Sequence, residues 1–260
     1  MTAANAADLK RQAYDAAASF ARSQGPGESL LVLDFGAARL KKGTYGAALR
    51  SGTFFSNEEI GTALQAAAHG YEDHHERGSV TIAYVNSNAF LGRPGRGYKA
   101  FDEVTAREAG EQQAKTLAGL DLSAHQSAAI GGDIEPGYDA VAKPEVAIAM
   151  VAGANSASGK PYYDVGTAPC TGGNCTNGWT PRDICEVAGG HGRVALPEIY
   201  FAGVVDQPSQ WAKIQKTCKI DSFAGVSSSP IGPFSPQGSW RALREKTSAG
   251  VDPVIVVFPG

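Results

Sequence analysis

The sequence has few of the features that mark membrane proteins or nucleic-acid-binding proteins. It contains no apolar run that approaches the roughly 18–20 residues needed to cross a bilayer. Its 23 Lys and Arg residues are outnumbered by 26 Asp and Glu residues, and the formal charge of −3 leaves no basic stripe that could neutralise phosphates. We therefore expect no membrane insertion and no nucleic acid partner.

Cysteine is also scarce, and the four cysteines all lie in the second half of the chain. Four cysteines allow three pairings, of which we favour Cys170–Cys175, across the Gly-rich loop CTGGNC, and Cys185–Cys218, between two predicted helices. The alternative is a zinc site with four thiolate ligands. The spacing is unlike paired C-x2-C motifs, because four residues separate the first two cysteines and the other two are far apart.

Two disulfides would place the protein in an oxidising environment, outside the cell or in the periplasm. The first residues, MTAAN, lack the basic start and apolar stretch of a signal peptide. We therefore expect a secreted or extracellular protein whose signal peptide has been removed.

The 260 residues, 43% of them hydrophobic, have the composition of a globular protein, and we expect one domain over residues 1–260. Apolar runs of strand length alternate with helical patterns, which predicts parallel strands joined by helices. These runs are LLVLDFG, VTIAYVNSN, AAIGGDIEP, PYYDVGTAP, ALPEIYFAG, SFAGVSSSP and DPVIVVFPG. With an eighth, irregular strand around Thr44 to Phe55, the pattern predicts a (β/α)8 TIM-type barrel. A doubly wound open sheet is the alternative, although no G-x-G-x-x-G follows the first strand.

Acidic residues stand at the ends of several of these strands, where a parallel barrel has its active-site mouth. Asp133 and Glu135 are separated by Ile134 and should point to the same side of their strand, and Asp34 ends the first strand. Two neighbouring carboxylates cannot both ionise easily, so one can act as a general acid near neutral pH, as glycosidases require. The alternatives are structural: Asp133 could form an Asx-turn or cap the next helix, and Asp34 could form a salt bridge.

The same alternation along strands predicts further residues that bind substrate. Tyr138, in the loop after the two acids, is a candidate ring for stacking against a sugar. The other candidates lie at strand ends and are Tyr84, Asn86, Asp164, Glu198 and Tyr200. The segment EDHHER lacks H-E-x-x-H spacing and is typical of a solvated helix end, so we expect no metal and no organic cofactor.

Four motifs, LDFG, GGDIEP, KPYYDVG and LPEIYFAG, occur in this order over most of the chain. This order resembles the secreted lysozyme-type barrels of glycoside hydrolase family 25 and the related glycoside-hydrolase-like domains of actinobacteria. The resemblance implies that Asp34, Asp133 and Glu135 are catalytic, with Glu135 as proton donor and Asp133 as its charge-stabilising partner. It implies a secreted glycoside hydrolase that cleaves a polysaccharide or cell-wall glycan. The alternative is an inactive barrel that binds cell-wall carbohydrate or acts as an interaction domain.

Overall fold

The structure is a computed structural model that describes residues 1–95, 97–171, 174–190, 192–201, 206–229 and 232–257. Two glycines of the CTGGNC loop, residues 172 and 173, lie outside the described residues. So do the ends of three predicted strand runs, at residues 202 and 203, 230, and 258–260.

Helices and strands alternate along the described chain. The helices are α1 Ala6–Ser23, α2 Asn57–Glu72, α3 Glu103–Ala118, α4 Pro144–Ser158, α5 Pro181–Ala188, α6 Gln207–Cys218 and α7 Pro236–Lys246. The strands are β1 Glu28–Lys41, β2 Thr44–Ala48, β3 Phe54–Ser56, β4 Ser79–Ser87, β5 Tyr98–Lys99, β6 Gln126–Asp133, β7 Tyr162–Asp164, β8 Cys170–Thr171, β9 Asn174–Cys175, β10 Arg193–Ala195, β11 Ser222–Phe223, β12 Val226–Ser228, β13 Gly250–Val251 and β14 Ile255–Val257.

Polar caps determine where several helices begin. Ser56 and Glu59 form a capping box at α2, and Thr180 and Asp183 form another at α5. At α3, the side chain of Asp102 accepts a hydrogen bond from the Thr105 N–H. Each such cap contributes about 0.5–2 kcal/mol to stability and fixes the point at which the chain turns into a helix.

The central sheet is mixed, with a run of parallel strands that follow one another in chain order. β1, β4, β6, β7 and β10 are adjacent and parallel in that sequence. The order never reverses along these strands, whereas a doubly wound sheet reverses at its switch point. Beyond β10, hydrogen bonds from Ala224 N to Ala195 O and from Ser227 N to Pro197 O bring β11 and β12 alongside. β13 and β14 pair in parallel with β11 and β12.

One apolar cluster is lined by residues from successive strands. Its members are Leu30, Ala83, Val85, Ala129, Val165, Leu196 and Val256. Leu30 of β1 and Val256 of β14 therefore contact the same interior, as expected if the sheet curves round on itself. This arrangement is compatible with a TIM-type fold. The described residues show no hydrogen-bonded ladder between β14 and β1, and closure into a barrel stays a prediction.

The segment around Thr44 to Phe55 does not form the eighth barrel strand that the sequence predicts. β2 and β3 instead extend β1 as an antiparallel meander. The cause is a two-residue turn at Lys42 and Gly43, whose positive φ angles of 49° and 85° match the hairpin turn that reverses a strand. A short strand thus returns along β1 and does not cross over through a helix.

β1 also contains an irregularity between Asp34 and Ala37, where its pairing with β4 shifts register. Gly36 lies in this bulge with φ of 84°. A Cβ atom there would lie 2.3 Å from the carbonyl oxygen of Ala48, so the neighbouring strand leaves room only for glycine.

The predicted disulfides are confirmed. Cys170 is bonded to Cys175 across the β8–β9 hairpin, and Cys185 of α5 is bonded to Cys218 at the end of α6. No thiol is left to bind zinc among these four residues. Separately, none of the helices in the described part of the chain is long and apolar enough to cross a membrane.

Candidate active site

Two of the predicted acids lie on one cavity at the carboxyl edge of the parallel strands. Asp34 alternates with Leu30 and Val32 along β1, and Asp133 ends β6 on the same side as Ala129, so both acids face the interior side of the sheet. They line a cavity of about 780 Å³, within the range of roughly 300–1,000 Å³ typical of ligand pockets.

Three carboxyl groups meet beside this cavity. One carboxylate oxygen from each of Asp133, Glu135 and Glu198 lies within 4.8 Å of the others. Glu198 reaches the cluster from the segment after β10, where its N–H donates to Gly166 O at 3.0 Å and its backbone pairs with Ser227. The sequence predicted Glu198 as a substrate-binding residue, and the structure places it inside the acidic cluster itself.

Glu135 follows the end of β6 and is held by a side chain from the neighbouring strand. Its N–H donates to Asn88 Oδ1 at 2.9 Å, and its carbonyl oxygen accepts from Asn88 Nδ2 at 3.0 Å. Asn88 is 3% exposed, so the clamp works in a site shielded from water. The sequence analysis missed Asn88, although an Asn directly after a strand was a visible signal.

Burial is the largest influence on the pKa values of the acids in this cluster. Burial, and after it the charges of Glu198 and Glu135, raise the pKa of Asp133 well above its ordinary value. Burial and then the charge of Glu135 likewise raise the pKa of Glu198 well above its ordinary value. None of the ion pairs among the described residues involves these acids. The cluster therefore holds its protons to higher pH than isolated carboxyl groups do.

Hydrogen bonds distinguish the two glutamates. Burial raises the pKa of Glu135, but hydrogen bonds from Glu198 and Thr167 oppose this by favouring its ionised form. The bond to Glu135 has the opposite effect on Glu198 and raises its pKa further. Both effects favour Glu198 over Glu135 as the protonated partner of the pair.

Two tyrosines donate hydrogen bonds to the cluster. Tyr138 Oη donates to Asp133 Oδ2 at 2.9 Å, and Tyr200 Oη donates to Glu198 Oε1 at 2.6 Å. Burial raises the pKa of both phenols above the usual value, so both remain donors. Tyr138 is 36% exposed and lines the cavity. The other oxygen of Asp133, Oδ1, is buried without a hydrogen-bond partner.

Asp34 stands apart from this cluster. Its Oδ1 accepts a hydrogen bond from Gly36 N at 2.8 Å, while burial raises the pKa of its carboxyl group. It faces the same cavity as Asp133 and adds to the negative charge that Asp133 experiences.

The remaining predicted residues lie on the other face of the sheet. Tyr84 donates to Asn57 Oδ1 of α2 at 3.0 Å and accepts from Asn86 Nδ2 at 3.1 Å. Asp164 is 1% exposed and stands in register with Asn86 across β6. All three residues alternate with side chains of the interior cluster, and none lines the cavity. The charge of Asp164 is nevertheless close enough to Glu198 to raise the pKa of that group, and substrate binding by these three residues stays a prediction.

The acidic cluster is also the one place, within the described ranges, where the geometry could hold a metal ion. Three carboxylate oxygens suit a hard cation such as Ca²⁺ or Mg²⁺. The EDHHER segment forms no such group: His74 and His75 each hydrogen-bond a backbone carbonyl of the preceding helix, at Gly70 and Glu72.

Comparisons with known proteins give little guidance. No family model matches the chain, and no curated protein matches it. Among solved structures, a fungal beta-1,4-galactanase aligns with a TM-score of 0.40 and 14% sequence identity. The alignment covers 83% of this chain but only 57% of the galactanase chain. A likeness this weak establishes neither the fold nor the activity, and the resemblance to family 25 lysozymes stays a sequence prediction.

Proposed function

We propose that the protein is a secreted glycoside hydrolase that cleaves a polysaccharide or cell-wall glycan by carboxylate acid/base catalysis. One observation carries the proposal: the carboxyl groups of buried Glu198 and of half-buried Asp133 and Glu135 lie within 4.8 Å of one another beside an open cavity, and none of them forms an ion pair among the described residues. Burying acids in this way is costly for a protein that does not use them. Hydrolysis of a glycosidic bond requires one protonated and one ionised carboxyl group at close range.

In the proposed mechanism, Glu135 and Glu198 act as one acid that carries a single proton between them. The proton held by Glu198 passes to Glu135 as Glu135 protonates the leaving oxygen of the glycosidic bond, so that one proton leaves the pair. The water that attacks the sugar returns a proton to the pair. Asp133 borders the cavity and faces the positive charge that develops on the sugar ring. That charge favours the ionised form of Asp133, which in turn stabilises the oxocarbenium-like transition state.

The tyrosines and Asp34 complete the proposed site. Tyr138 holds Asp133 in place and offers a ring face to the sugar, while Tyr200 positions Glu198. Asp34 faces the same cavity from β1 and is the third carboxylate that the family 25 resemblance implies.

Two further features support the cellular location and the substrate class. The two disulfides fit an oxidising, extracellular environment. The order of motifs that resembles family 25 lysozymes and actinobacterial domains supports a cell-wall glycan, and we propose that residues 1–260 act as one TIM-type domain.

A panel of polysaccharides and peptidoglycan, assayed for new reducing ends, tests the proposal. The wild type should release reducing ends from at least one glycan, and Glu135→Gln should lose most of that activity. Glu245→Gln on the exposed surface of α7 makes the same chemical change away from the cavity and serves as the control. Retention of the wild type on a polysaccharide without any cleavage would support the binding-module alternative and overturn the hydrolase.

A further inference from the structure

The cavity beside the acids has a second wall of opposite charge. Three arginines line it, Arg39 on β1, Arg50 after β2 and Arg93 in the loop after β4. The same cavity is therefore lined by both carboxylates and guanidinium groups. A neutral glycan would need no such cationic wall.

Arg39 is a half-buried cation whose hydrogen-bonding capacity is only partly used. Its Nη1 donates to the carbonyl oxygens of Phe90 at 2.6 Å and Arg93 at 3.1 Å, whereas its buried Nε has no partner. Its guanidinium carbon lies 4.7 Å from the centre of the Tyr98 ring. Arginine remains charged in proteins. Arg39 feels the charge of Asp139 but forms no ion pair among the described residues, so its positive charge is available to a ligand in the cavity.

The other two arginines are also available to a ligand. Arg50 is exposed, and neither it nor Arg39 forms an ion pair among the described residues. Arg93 approaches Asp139 only to 3.9 Å, and half of its side chain is exposed. A guanidinium group without a partner can bind a carboxylate, sulfate or phosphate through two parallel hydrogen bonds.

Aromatic rings lie among these charges. Phe90 is 44% exposed, with the guanidinium carbons of Arg39 and Arg93 at 5.5 and 5.3 Å from its ring centre. Its φ of 63° is a conformation that bulky residues rarely adopt, and such strain clusters at ligand sites. Phe90 and Tyr98 thus offer apolar ring faces beside the cations, which suits a sugar ring that carries an anionic group.

We propose that this cavity binds an anionic glycan, with the acidic substituent of the sugar held by Arg39, Arg50 and Arg93 and the chain extending toward Asp34 and Asp133. The inference rests on the proposed function, because it names the substrate class of the same site. The arginines offset the repulsion that the carboxylates would otherwise exert on an acidic polymer. The shared chemistry is a carboxylate or a sulfate ester on a sugar.

Calorimetric titration of the full chain tests the proposal, with Glu135→Gln to prevent turnover and the wild type alongside. The probes are an oligogalacturonate, the same oligosaccharide with its carboxyl groups methyl-esterified, and a chondroitin sulfate oligosaccharide. The esterified form keeps the sugar backbone and replaces each carboxylate charge with a neutral methyl ester. We expect at least one anionic probe to bind roughly 10–100-fold more tightly than the neutral ester, as expected for charge-assisted hydrogen bonds. The two anionic probes distinguish carboxylate from sulfate recognition.

Arg50→Ala should weaken binding of the anionic probe about tenfold and leave binding of the ester unchanged. Arg182→Ala on the exposed start of α5 removes the same charge away from the cavity and should change neither. Equal or tighter binding of the ester, binding of neither anionic probe, or equal losses in the two arginine variants would overturn the inference. Equally tight binding of polyglutamate would overturn its assignment to glycans.

The test separates this inference from the proposed function. Arg50-dependent binding by a wild type that releases no reducing ends from any glycan would refute the hydrolase and leave the anionic site standing. Cleavage of a neutral glycan, together with equal binding of the anionic probes and the neutral ester, would support the hydrolase and refute the anionic site.

Discussion

The side chain of Asn88 hydrogen-bonds both backbone polar groups of Glu135, accepting from its N–H at 2.9 Å and donating to its carbonyl oxygen at 3.0 Å. Because β6 ends at Asp133, this clamp replaces the strand ladder as the element that orients Glu135. Asn88 is thus a positioning residue for the proposed proton donor and needs no contact with substrate.

Replacing Asn88 should slow turnover without abolishing the fold. Asn88→Asp keeps the acceptor and loses the donor, and a misplacement of about 1 Å in a catalytic group can reduce kcat by roughly 10²-fold. We expect kcat to fall while KM changes little, measured on whichever glycan the wild type cleaves. Far-UV circular dichroism checks folding. A rise in KM with unchanged kcat would assign Asn88 to substrate binding instead.

Loss of the Glu135 charge should lower the pKa values of its neighbours. The charge of Glu135 raises the pKa of both Asp133 and Glu198, so Glu135→Gln should make both easier to ionise. Carboxyl ¹³C NMR titration of the wild type and the variant measures the change directly. Unchanged titration of both groups would mean that burial alone sets their pKa values. In activity assays, the same variant should lose roughly 10²–10⁴-fold in rate, as expected for a general acid.

Glu198→Gln should stabilise the fold at neutral pH. The pKa of Glu198 is raised on folding, so the folded state binds this proton more tightly than the unfolded state, and stability falls as pH rises above the ordinary value of 4.5. We expect the variant to have a higher free energy of unfolding than the wild type at pH 7. The gain should vanish at pH 3, where both states are protonated. Urea unfolding at the two pH values measures it, and a loss of stability at pH 7 would contradict the raised pKa.

The close approach of the carboxyl groups predicts the stereochemical outcome. Retaining glycosidases have carboxyl groups roughly 5–5.5 Å apart, and inverting enzymes leave roughly 6.5–9.5 Å for a water molecule. The oxygens of Asp133, Glu135 and Glu198 lie within 4.8 Å of one another. Proton NMR of the first product formed should therefore show the anomer of the substrate. Accumulation of the opposite anomer would require a water molecule between more distant acids, and Asp34 would become the candidate base.

Hydrolysis should not depend on a metal ion. Protons offset the charges of the acidic cluster in the free protein, since burial raises the pKa of Asp133 and Glu198. Activity after dialysis against EDTA should equal that of the untreated protein. A loss that Ca²⁺ or Mg²⁺ restores would show that the three carboxylates are metal ligands, which their spacing also permits.

The sequence predicted the parts of the site that follow from local alternation. Asp34 and Asp133 end parallel strands, and the carboxyl ends of parallel strands share one edge. The face of the sheet was harder to predict, because strands buried on both sides carry no contrast between apolar and polar faces. Tyr84 and Asn86 share a face as predicted, but α2 covers it. The contact of Glu198 with Glu135 joins residues far apart in sequence, and no local pattern encodes it.

The turn at Lys42 and Gly43 shows a second limit on predicting this fold from its sequence. Lys42 and Gly43 adopt positive φ angles, and a glycine at such a position is typical of a hairpin turn, whereas regular strand–helix repeats would place a helical crossover there. The extra antiparallel strands are what carry Arg50 to the cavity, so the departure from a regular barrel is tied to the proposed specificity.

The bulge at Gly36 determines which way the end of β1 faces. Side chains alternate along a strand, and Asp34 and Arg39, five positions apart, would ordinarily point to opposite faces. The register shift between Asp34 and Ala37 adds one residue and inverts the alternation, so that both side chains line the same cavity. A single inserted residue thus lets one strand present an acid, Asp34, and a cation, Arg39, to the same cavity at a fixed separation along β1. Because the backbone of β1 fixes this separation, a glycan with matching spacing between its reactive bond and its acidic group could bind without a conformational change of the protein.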